Sequence, residues 1–370
     1  MAARTHPPHP FLLRRCALLA VAVLVLALSG EPDAPGPAED QGATAEEADA
    51  PESPAGPQPF TVAFGGDVMF DGILADRLDS DPGTAMGPVS EVFARSDLSI
   101  VNLETAVTEG GTSAPAKEFV FRAPPSAYEA LHSAEVDVAT VANNHGMDYG
   151  VDGLEDTLDH AEDAGFPIVG AGRNADEAYS PHRVEVNGNT VAILGATDVI
   201  DGHLIPDWVA GDGRPGLASV KGEALERMLE AVGEAEAEAD TVLTYLHAGL
   251  EGEHCPLPHA PDLARQLIDA GADVVVNSHA HVLGPGGYLD GAYVHYGLGN
   301  FAFYNFSGPT AETGVLRLTM REGEVLEDEW LPGRIRGGVP TLYEGEQATS
   351  ALGTWEGYRD TCGLELGDEP

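Results

Sequence analysis

The sequence predicts an α/β fold built on a largely buried sheet. Short, almost continuous apolar runs recur from Phe60 onward, and amphipathic stretches separate them. Strands that are apolar throughout are covered on both faces, which is the arrangement found in α/β proteins. With 370 residues, 43% of them hydrophobic and 21% charged, the chain suffices for one large or two ordinary domains.

The first 30 residues have the pattern of an export signal. Arg4 and the pair Arg14 and Arg15 precede an apolar run of small residues from Cys16 to Gly30. That run is short for a membrane span, which needs roughly 17 to 25 residues. We therefore expect an exported protein of the cell envelope or exterior, with either a cleaved signal peptide or a short, uncleaved N-terminal anchor.

Residues 31–59 predict a disordered spacer, because they contain eight acidic residues, seven prolines and no basic residue. The folded domain is expected over 60–335. From about Glu322 the alternation of apolar runs is lost, which predicts a closing strand and then a meandering C-terminal tail over 336–370.

Eight apolar runs are candidate strands, at 60–66, 98–102, 136–142, 167–171, 190–196, 241–246, 273–277 and 293–299. Apolar residues at helical spacing, such as Leu154, Leu158 and Ala161, predict helices between these runs. Further helices are expected over 221–239 and from Pro261 to Ala270, where proline at the start is well tolerated.

The formal net charge of -43 excludes a nucleic-acid binder, because such proteins need clustered basic side chains to displace counterions. The same charge would repel an anionic polymer or a phosphoester. Such a substrate could be held only where bound metal ions or a local arginine cluster reverse the field.

Asp, Glu, Asn and His side chains collect where five of the predicted strands end. They are Asp67, Asn102, Glu104, Asn143, Asn144, His145, His247, His279 and His281. In open α/β sheets the ligand crevice lies outside the carboxyl ends of the strands. This ligand set contains no cysteine and suits Mn, Fe, Zn or Mg, and its size predicts two divalent metal ions.

Eight motifs follow one another along the chain: "FGGDVMFDG" (64–72), "NLETAVT" (102–108), "FRAPP" (121–125), "VATVANNHGMDYGVDGLEDTL" (138–158), "GAGRNADEA" (170–178), "LHAGLEGE" (246–253), "LIDAGADVVVNSHAHV" (267–282) and "VHYGLGNFAF" (294–303). This ordered set resembles the CapA family, the bacterial capsule synthesis or poly-γ-glutamate biosynthesis family, which is related to calcineurin-like metallophosphoesterases.

The resemblance implies a four-layer α/β/β/α sandwich of the metallophosphoesterase type, with a metal site at the carboxyl ends of the strands. Asp67 and His281 would bind the first ion, and Glu104 would bridge both ions. The remaining ligands, all for the second ion, would be Asn144, His247 and His279.

The resemblance also implies that His145 stands beside the metals and steadies a leaving oxygen. We expect Asp148, three residues further on, to orient it. Met69 departs from the Asp-x-His opening of typical metallophosphoesterases, which implies a poorer shell for the first metal. Ala248 and Ser278 also depart from the residues common in the family, Trp and Gly.

Five more residues are candidates for contacts around the metals or with substrate. Asn102 and Asn143 lie inside the motifs, and Arg122 is a candidate anion contact. Glu251 belongs either to a solvated turn or to a carboxylate that holds a ligating histidine in one tautomer. Asn300 is either a structural bracket or a substrate contact.

The cysteines leave two possibilities open. Cys16 lies in the predicted signal, and Cys255 and Cys362 either form one disulfide that closes a long loop or remain two free thiols.

Two functions fit the sequence. The first is an exported CapA-like hydrolase in capsule or poly-γ-glutamate biosynthesis, using two metals and a metal-bridging hydroxide as nucleophile. Its substrate would be an anionic polymer or a phosphoester held at the metal edge. The second is a non-catalytic accessory or polymer-binding subunit of a membrane capsule-synthesis complex.

Overall fold

The computed structural model describes residues 56–304 and 306–367, so the predicted signal or anchor and most of the predicted spacer lie outside it. Within the described part, none of the helices combines the length and apolar character needed to cross a membrane. Gln58 exchanges hydrogen bonds with Asn187 and Asn189. The folded part therefore begins slightly before Phe60, inside the stretch predicted as spacer.

The strands, in chain order, are β1 (Phe60–Val68), β2 (Leu98–Leu103), β3 (Ala106–Val107), β4 (Arg122–Ala123), β5 (Val138–Thr140), β6 (Ile168–Val169), β7 (Ala171–Gly172), β8 (His182–Val186), β9 (Asn189–Thr197), β10 (Gly216–Leu217), β11 (Thr241–Ala248), β12 (Val274–His279), β13 (Gly286–Leu289), β14 (Ala292–His295), β15 (Asn300–Ala302), β16 (Glu312–Arg321), β17 (Glu324–Arg336) and β18 (Val339–Leu342).

The helices, in chain order, are α1 (Ile73–Ser80), α2 (Ser90–Phe93), α3 (Ser126–Ser133), α4 (Gly150–Ala164), α5 (Ala175–Ala178), α6 (Ile205–Trp208), α7 (Ala224–Glu236), α8 (Ala260–Asp269) and α9 (Gly345–Cys362).

Two large sheets carry the fold. The first has the strand order β18-β17-β16-β1-β2-β5-β6, with β15 also paired to β1, and the second has the order β13-β14-β12-β11-β9-β8. The central strands of each sheet run parallel, whereas the hairpins at the edges are antiparallel. Parallel strands have their carboxyl ends at the same edge. The residues that end the central strands of each sheet therefore lie close together along that edge.

The two sheets pack face to face through an apolar layer. Phe64 and Ile100 of the first sheet belong to the same buried cluster as Leu243 and Tyr245 of the second. The Tyr245 hydroxyl crosses this layer and donates a hydrogen bond to the Gly65 carbonyl at 2.9 Å. Central strands are thus covered on both faces, which explains their continuous apolar runs.

Helices cover the outer face of each sheet. On the first sheet Val101 clusters with Leu131 of α3 and Leu154 of α4. On the second, buried residues of β9 and β12 cluster with Val232 of α7 and Leu267 of α8. These layers confirm the predicted α/β/β/α sandwich.

The helix predictions hold where the apolar stripe is clear. Helix α4 buries Leu154, Leu158 and Ala161, the predicted stripe, and ends at Gly165, whose φ of 62° is a left-handed conformation that glycine adopts at little cost. Helix α8 has Pro261 in its first turn, where the missing amide hydrogen is not needed.

The prediction of a meandering tail is wrong. The chain continues from β17 into β18 and then into the 18-residue helix α9. This helix buries a single side chain, Trp355, whose indole donates to the Gly284 carbonyl at 2.9 Å. A helix with one buried side chain has no apolar stripe, so its sequence resembles a loop.

A disulfide joins Cys255 to Cys362, which decides between the two possibilities that the sequence left open. It ties the loop after β11 to the end of α9. Beside it, the rings of His254 and Tyr358 stack with centroids 4.5 Å apart.

Candidate metal centre

The carboxyl ends of β1, β2, β5, β11 and β12 bring the predicted ligands to one edge of the sandwich. The strands run further than predicted, so Asp67 lies in the last two residues of β1 and His247 in the last two of β11. Glu104 directly follows β2, and His279 ends β12. Asp67 sits at a shift in register between β1 and its neighbours, a local irregularity that redirects the chain at its end.

One group of donors converges on His247. The Nε2 atom of His247 lies 2.7 Å from Asn144 Oδ1, 3.1 Å from His279 Nδ1 and 3.4 Å from Glu104 Oε1. Donor atoms of Glu104, His247 and His279 all lie within 4.8 Å of one another. These side chains could hold one divalent ion, and the amide oxygen of Asn144 adds a fourth donor.

A second group shares Glu104 with the first. Donor atoms of Asp67, Glu104 and His281 also lie within 4.8 Å of one another. His281 Nδ1 is 3.4 Å from Asp67 Oδ2, and its Nε2 is 3.9 Å from Glu104 Oε1. Glu104 therefore stands between the two groups, where a bridging carboxylate would be.

The Glu104 carboxylate shows that the site fits cations. Its side chain is fully buried, and neither carboxylate oxygen has a hydrogen-bond partner. A buried carboxylate without hydrogen bonds costs several kcal/mol unless nearby positive charge offsets it. Among the residues that the structure describes, only imidazole nitrogens, at 3.4 to 3.9 Å, approach this one. Two divalent ions would satisfy both oxygens, and the surrounding carboxylate, amide and imidazole donors are of the type that such ions bind.

The charges around Asp67 favour its ionised form. Burial opposes ionisation, but the hydrogen bond with His281 and the charges of His247 and His281 outweigh it and lower the pKa of Asp67. Burial also lowers the pKa of His281, yet Glu104 and Asp67 overcome this and raise it to about 10. The carboxylates thus favour a proton on His281. A divalent cation bound between them would replace this proton.

Burial keeps His279 in the state that metal binding requires. It lowers the pKa of His279 well below its usual value, and the neighbouring His247 and His281 add to the effect. A neutral imidazole offers a free nitrogen lone pair to a metal.

Two buried asparagines hold the ligands in place. Asn102 donates to Asp67 Oδ1 at 2.8 Å, and its amide also contacts His247 Nδ1 at 3.2 Å. Asn143 donates to Asn102 Oδ1 at 2.9 Å and accepts from the His145 amide at 2.9 Å. Such outer partners fix ring orientation and tautomer around a metal.

His145 lies beside this cluster and contacts residues on both sides of its ring. Its Nδ1 is 2.6 Å from Asp148 Oδ2, and its Nε2 is 3.9 Å from Glu104 Oε1. The edge of the Phe121 ring packs against the imidazole at 4.7 Å between centroids. The structure therefore places Asp148 where it was expected, against His145.

Lys117 is a site residue that the sequence reasoning missed. Its ammonium contacts the carbonyl of Asn144 and the Asp148 carboxylate, and it lies 2.9 Å from His145 Nδ1. Burial lowers the pKa of Lys117, and Asp148 opposes that change. The available signal was composition, since Lys117 is one of only two lysines in a chain whose other basic residues are arginines.

The His-Ala-His segment has an unusual backbone. His279 has a φ of 106° and His281 a φ of 57°, conformations that non-glycine residues adopt only with strain. The turn directs both rings toward the cluster, and the His279 amide lies 3.2 Å from Asp67 Oδ2. Ser278, the departure from the family pattern, places its hydroxyl 3.3 Å from His247 Nδ1.

The other candidates divide into two groups. Asn300 Oδ1 lies 2.8 Å from His281 Nδ1, so this residue brackets a predicted ligand. Glu251 reaches the cluster from the exposed side, with a carboxylate oxygen within 4.8 Å of donor atoms on His279 and His281. Arg122, in contrast, is exposed, and its guanidinium lies over the Tyr149 ring at 4.9 Å.

The chain thus has a four-layer sandwich of the metallophosphoesterase type, with a candidate metal site of carboxylate, amide and histidine donors at its strand ends. Residues 61–305 match a family model described as "Bacterial capsule synthesis protein PGA_cap". The chain belongs to this family.

Two relatives and one solved structure illustrate the similarity. The chain is 31% identical over 285 residues to the PGA biosynthesis protein CapA of Bacillus subtilis, which covers 76% of this chain and 73% of that one. It is 29% identical over 209 residues to a probable polyglutamine synthesis accessory protein of Mycobacterium tuberculosis, covering 55% of each chain. A hypothetical protein from Thermus thermophilus aligns with 75% of this chain and 100% of its own, at 20% identity and a TM-score of 0.47.

Proposed function

We propose that the protein is a hydrolase that depends on two divalent metal ions and acts in capsule or poly-γ-glutamate metabolism. The observation that carries this proposal is Glu104, a buried carboxylate without hydrogen-bond partners that is shared by two groups of metal donors. A scaffold would not require such a costly arrangement, whereas a dinuclear centre does.

Each residue of the cluster has a distinct role in such a hydrolysis. Asp67 and His281 would hold one ion, the donors around His247 would hold the other, and Glu104 would bridge them. When bound, paired ions supply Lewis acidity toward the scissile group and lower the pKa of water. His145, held by Asp148, presents Nε2 toward the centre, where it can hold or deliver a proton at the leaving oxygen.

The substrate we propose is anionic, either a phosphoester or a carboxylate polymer. The net charge of -43 disfavours contact with such a molecule except at the metal edge. The name of the Bacillus subtilis relative, which refers to PGA biosynthesis, favours a polymer of glutamate, whereas the Mycobacterium tuberculosis relative is named for polyglutamine, a polymer of the neutral amide. The Cys255–Cys362 disulfide supports export, because such bonds persist in oxidising compartments.

One observation favours a second candidate, a non-catalytic accessory subunit of a membrane capsule-synthesis complex. Met69 occupies the position where typical metallophosphoesterases have a histidine, and it is buried with Phe303 and Ile335. The Mycobacterium tuberculosis relative is also named as an accessory protein.

An assay of the full chain separates the two candidates. The metal-stripped protein is reloaded with Mn²⁺, Zn²⁺ or Mg²⁺ and tested on bis(p-nitrophenyl) phosphate and on poly-γ-glutamate, with His279→Ala as the test variant. The exposed His132→Ala is the control. We expect metal-dependent turnover that falls at least about 100-fold in His279→Ala only. Metal binding without turnover of either substrate would favour the accessory role instead.

A further inference from the structure

The two groups of donors are unequal. Besides the shared Glu104, one ion would receive Asn144, His247 and His279, whereas the other would receive only Asp67 and His281. The usual extra histidine is replaced by Met69, whose side chain is 1% exposed and points into an apolar cluster. The ion beside Asp67 therefore lacks a donor on its side of the site.

Glu251 approaches one histidine from each of the two groups, His281 and His279. One of its carboxylate oxygens and donor atoms of His279 and His281 all lie within 4.8 Å of one another. The other candidate ligands come from the strand ends and from the turns that directly follow them, but Glu251 comes from an exposed loop. It would thus close the outer face of the cluster, which the interior residues leave open.

The loop that carries Glu251 is fixed to the segment that carries both histidines. The Gly252 amide donates to the carbonyl of Ala280, the residue between His279 and His281, at 2.8 Å. Positive φ angles of 139° at Gly249 and 78° at Gly252 allow the tight turn around Glu251.

Further along, two more links immobilise the same loop. His254 Nδ1 lies 2.6 Å from the Leu283 carbonyl, and Cys255 is bonded to Cys362. A turn that merely faces solvent would not require these attachments. A loop that must place a carboxylate accurately against two histidines would, because metal ligands tolerate little displacement.

We infer that Glu251 is a metal ligand, which adds a carboxylate oxygen to an ion at the outer face of the cluster, beside His279 and His281. The inference rests on the proposed dinuclear centre. A further carboxylate at this ion adds negative charge and an oxygen donor, both of which favour Mn²⁺ or Mg²⁺ over softer ions.

The test measures metal affinity rather than activity. The metal-free full chain is titrated with Mn²⁺ in a calorimeter as wild type, Glu251→Gln and Glu253→Gln. Glu253 is a matched control, because it is an exposed glutamate two residues further along the same loop. Thermal unfolding of the metal-free proteins checks that both variants fold like the wild type.

We expect the wild type to bind two Mn²⁺ ions and Glu251→Gln to bind one of them about 10- to 100-fold more weakly, while Glu253→Gln matches the wild type. Equal affinities in the wild type and Glu251→Gln, or equal losses in both variants, would overturn the inference and leave the dinuclear centre standing. A wild type that binds no Mn²⁺ would overturn both.

Discussion

His145 Nδ1 lies 2.6 Å from Asp148 Oδ2, and the two residues are three positions apart in a turn just before α4. The Phe121 amide donates to the same carboxylate oxygen at 2.7 Å, and Lys117 pairs with the other oxygen. Lys117 also lies 2.9 Å from His145 Nδ1, so Asp148 and Lys117 together enclose the Nδ1 side of the imidazole. The Nε2 atom is thereby left to face the metal cluster.

We predict that Asp148→Asn slows catalysis without removing the metals. The amide has nearly the shape of the carboxylate but replaces one acceptor oxygen by a donor, so it no longer orients His145 in the same way, and we expect kcat/KM to fall at least about 100-fold. Phosphodiester turnover and metal content are measured on the same samples. The exposed Asp152→Asn serves as control. Wild-type turnover in Asp148→Asn would contradict the assignment.

Lys117 should contribute to stability through its buried ion pair. Its side chain is 9% exposed and that of Asp148 fully buried. Lys117→Met would leave the carboxylate with fewer donors, and we expect the free energy of unfolding to fall by about 3 kcal/mol.

Urea denaturation measures this change, and Lys221 supplies the control, because its Nζ pairs with Asp198 at 3.5 Å on a more exposed surface. Lys221→Met should change the free energy of unfolding by less than about 1 kcal/mol. Similar decreases in the free energy of unfolding in both variants would show that the buried pair stabilises the fold no more than the exposed pair does.

The disulfide should stabilise the whole fold, because it links positions 107 residues apart. The double variant Cys255→Ser/Cys362→Ser is expected to lose about 2 to 5 kcal/mol of unfolding free energy relative to the oxidised wild type. Chemical denaturation measures the loss, and treatment of the wild type with a reductant should reproduce it. Identical unfolding midpoints for the oxidised wild type and the double variant would refute this role.

His295 should make the fold sensitive to acid. It is fully buried between Trp330 and Trp355, and burial, aided by Arg359, lowers its pKa to about 3. An unfolded histidine has a pKa of about 6.5. Between these two values the unfolded chain binds a proton that the folded chain does not. The stability contributed by His295 is therefore fully present above about pH 6.5 and decreases as the pH falls toward 3.

Lowering the pH from 7 to 5 should destabilise the wild type by about 2 kcal/mol more than His295→Gln. Urea unfolding at both pH values tests this, with the exposed His132→Gln as control. If the free energy of unfolding changes equally with pH in the wild type and in His295→Gln, His295 is not a buried histidine with a lowered pKa.

The sequence was most informative where strands are buried on both faces. The run at 241–246 predicts β11 because its side chains meet apolar layers on either side. The sequence pattern indicates neither strand β16 nor helix α9. The β16–β17 hairpin carries charged pairs such as Arg317 and Glu329 on its open face, and α9 buries only Trp355. Neither therefore shows a continuous apolar run.

For the candidate site, strand-end residues could be found from sequence because parallel strands share an edge. Lys117 could not, since it lies in an irregular segment whose approach to Asp148 depends on the tertiary fold. Arg122 shows the converse, because its place in a motif does not reveal that its side chain turns to Tyr149.

Metal content shows whether Glu104 is shared by two divalent ions. The full chain, reconstituted with Mn²⁺ and freed of excess metal, is analysed by inductively coupled plasma mass spectrometry as wild type, Glu104→Gln and the exposed control Glu129→Gln. We predict about two ions per chain in the wild type and the control, and fewer than about one in Glu104→Gln, because both ions lose their shared ligand. A wild type without stoichiometric metal, or a Glu104→Gln variant that retains both ions, would show that Glu104 is not a ligand shared by two ions.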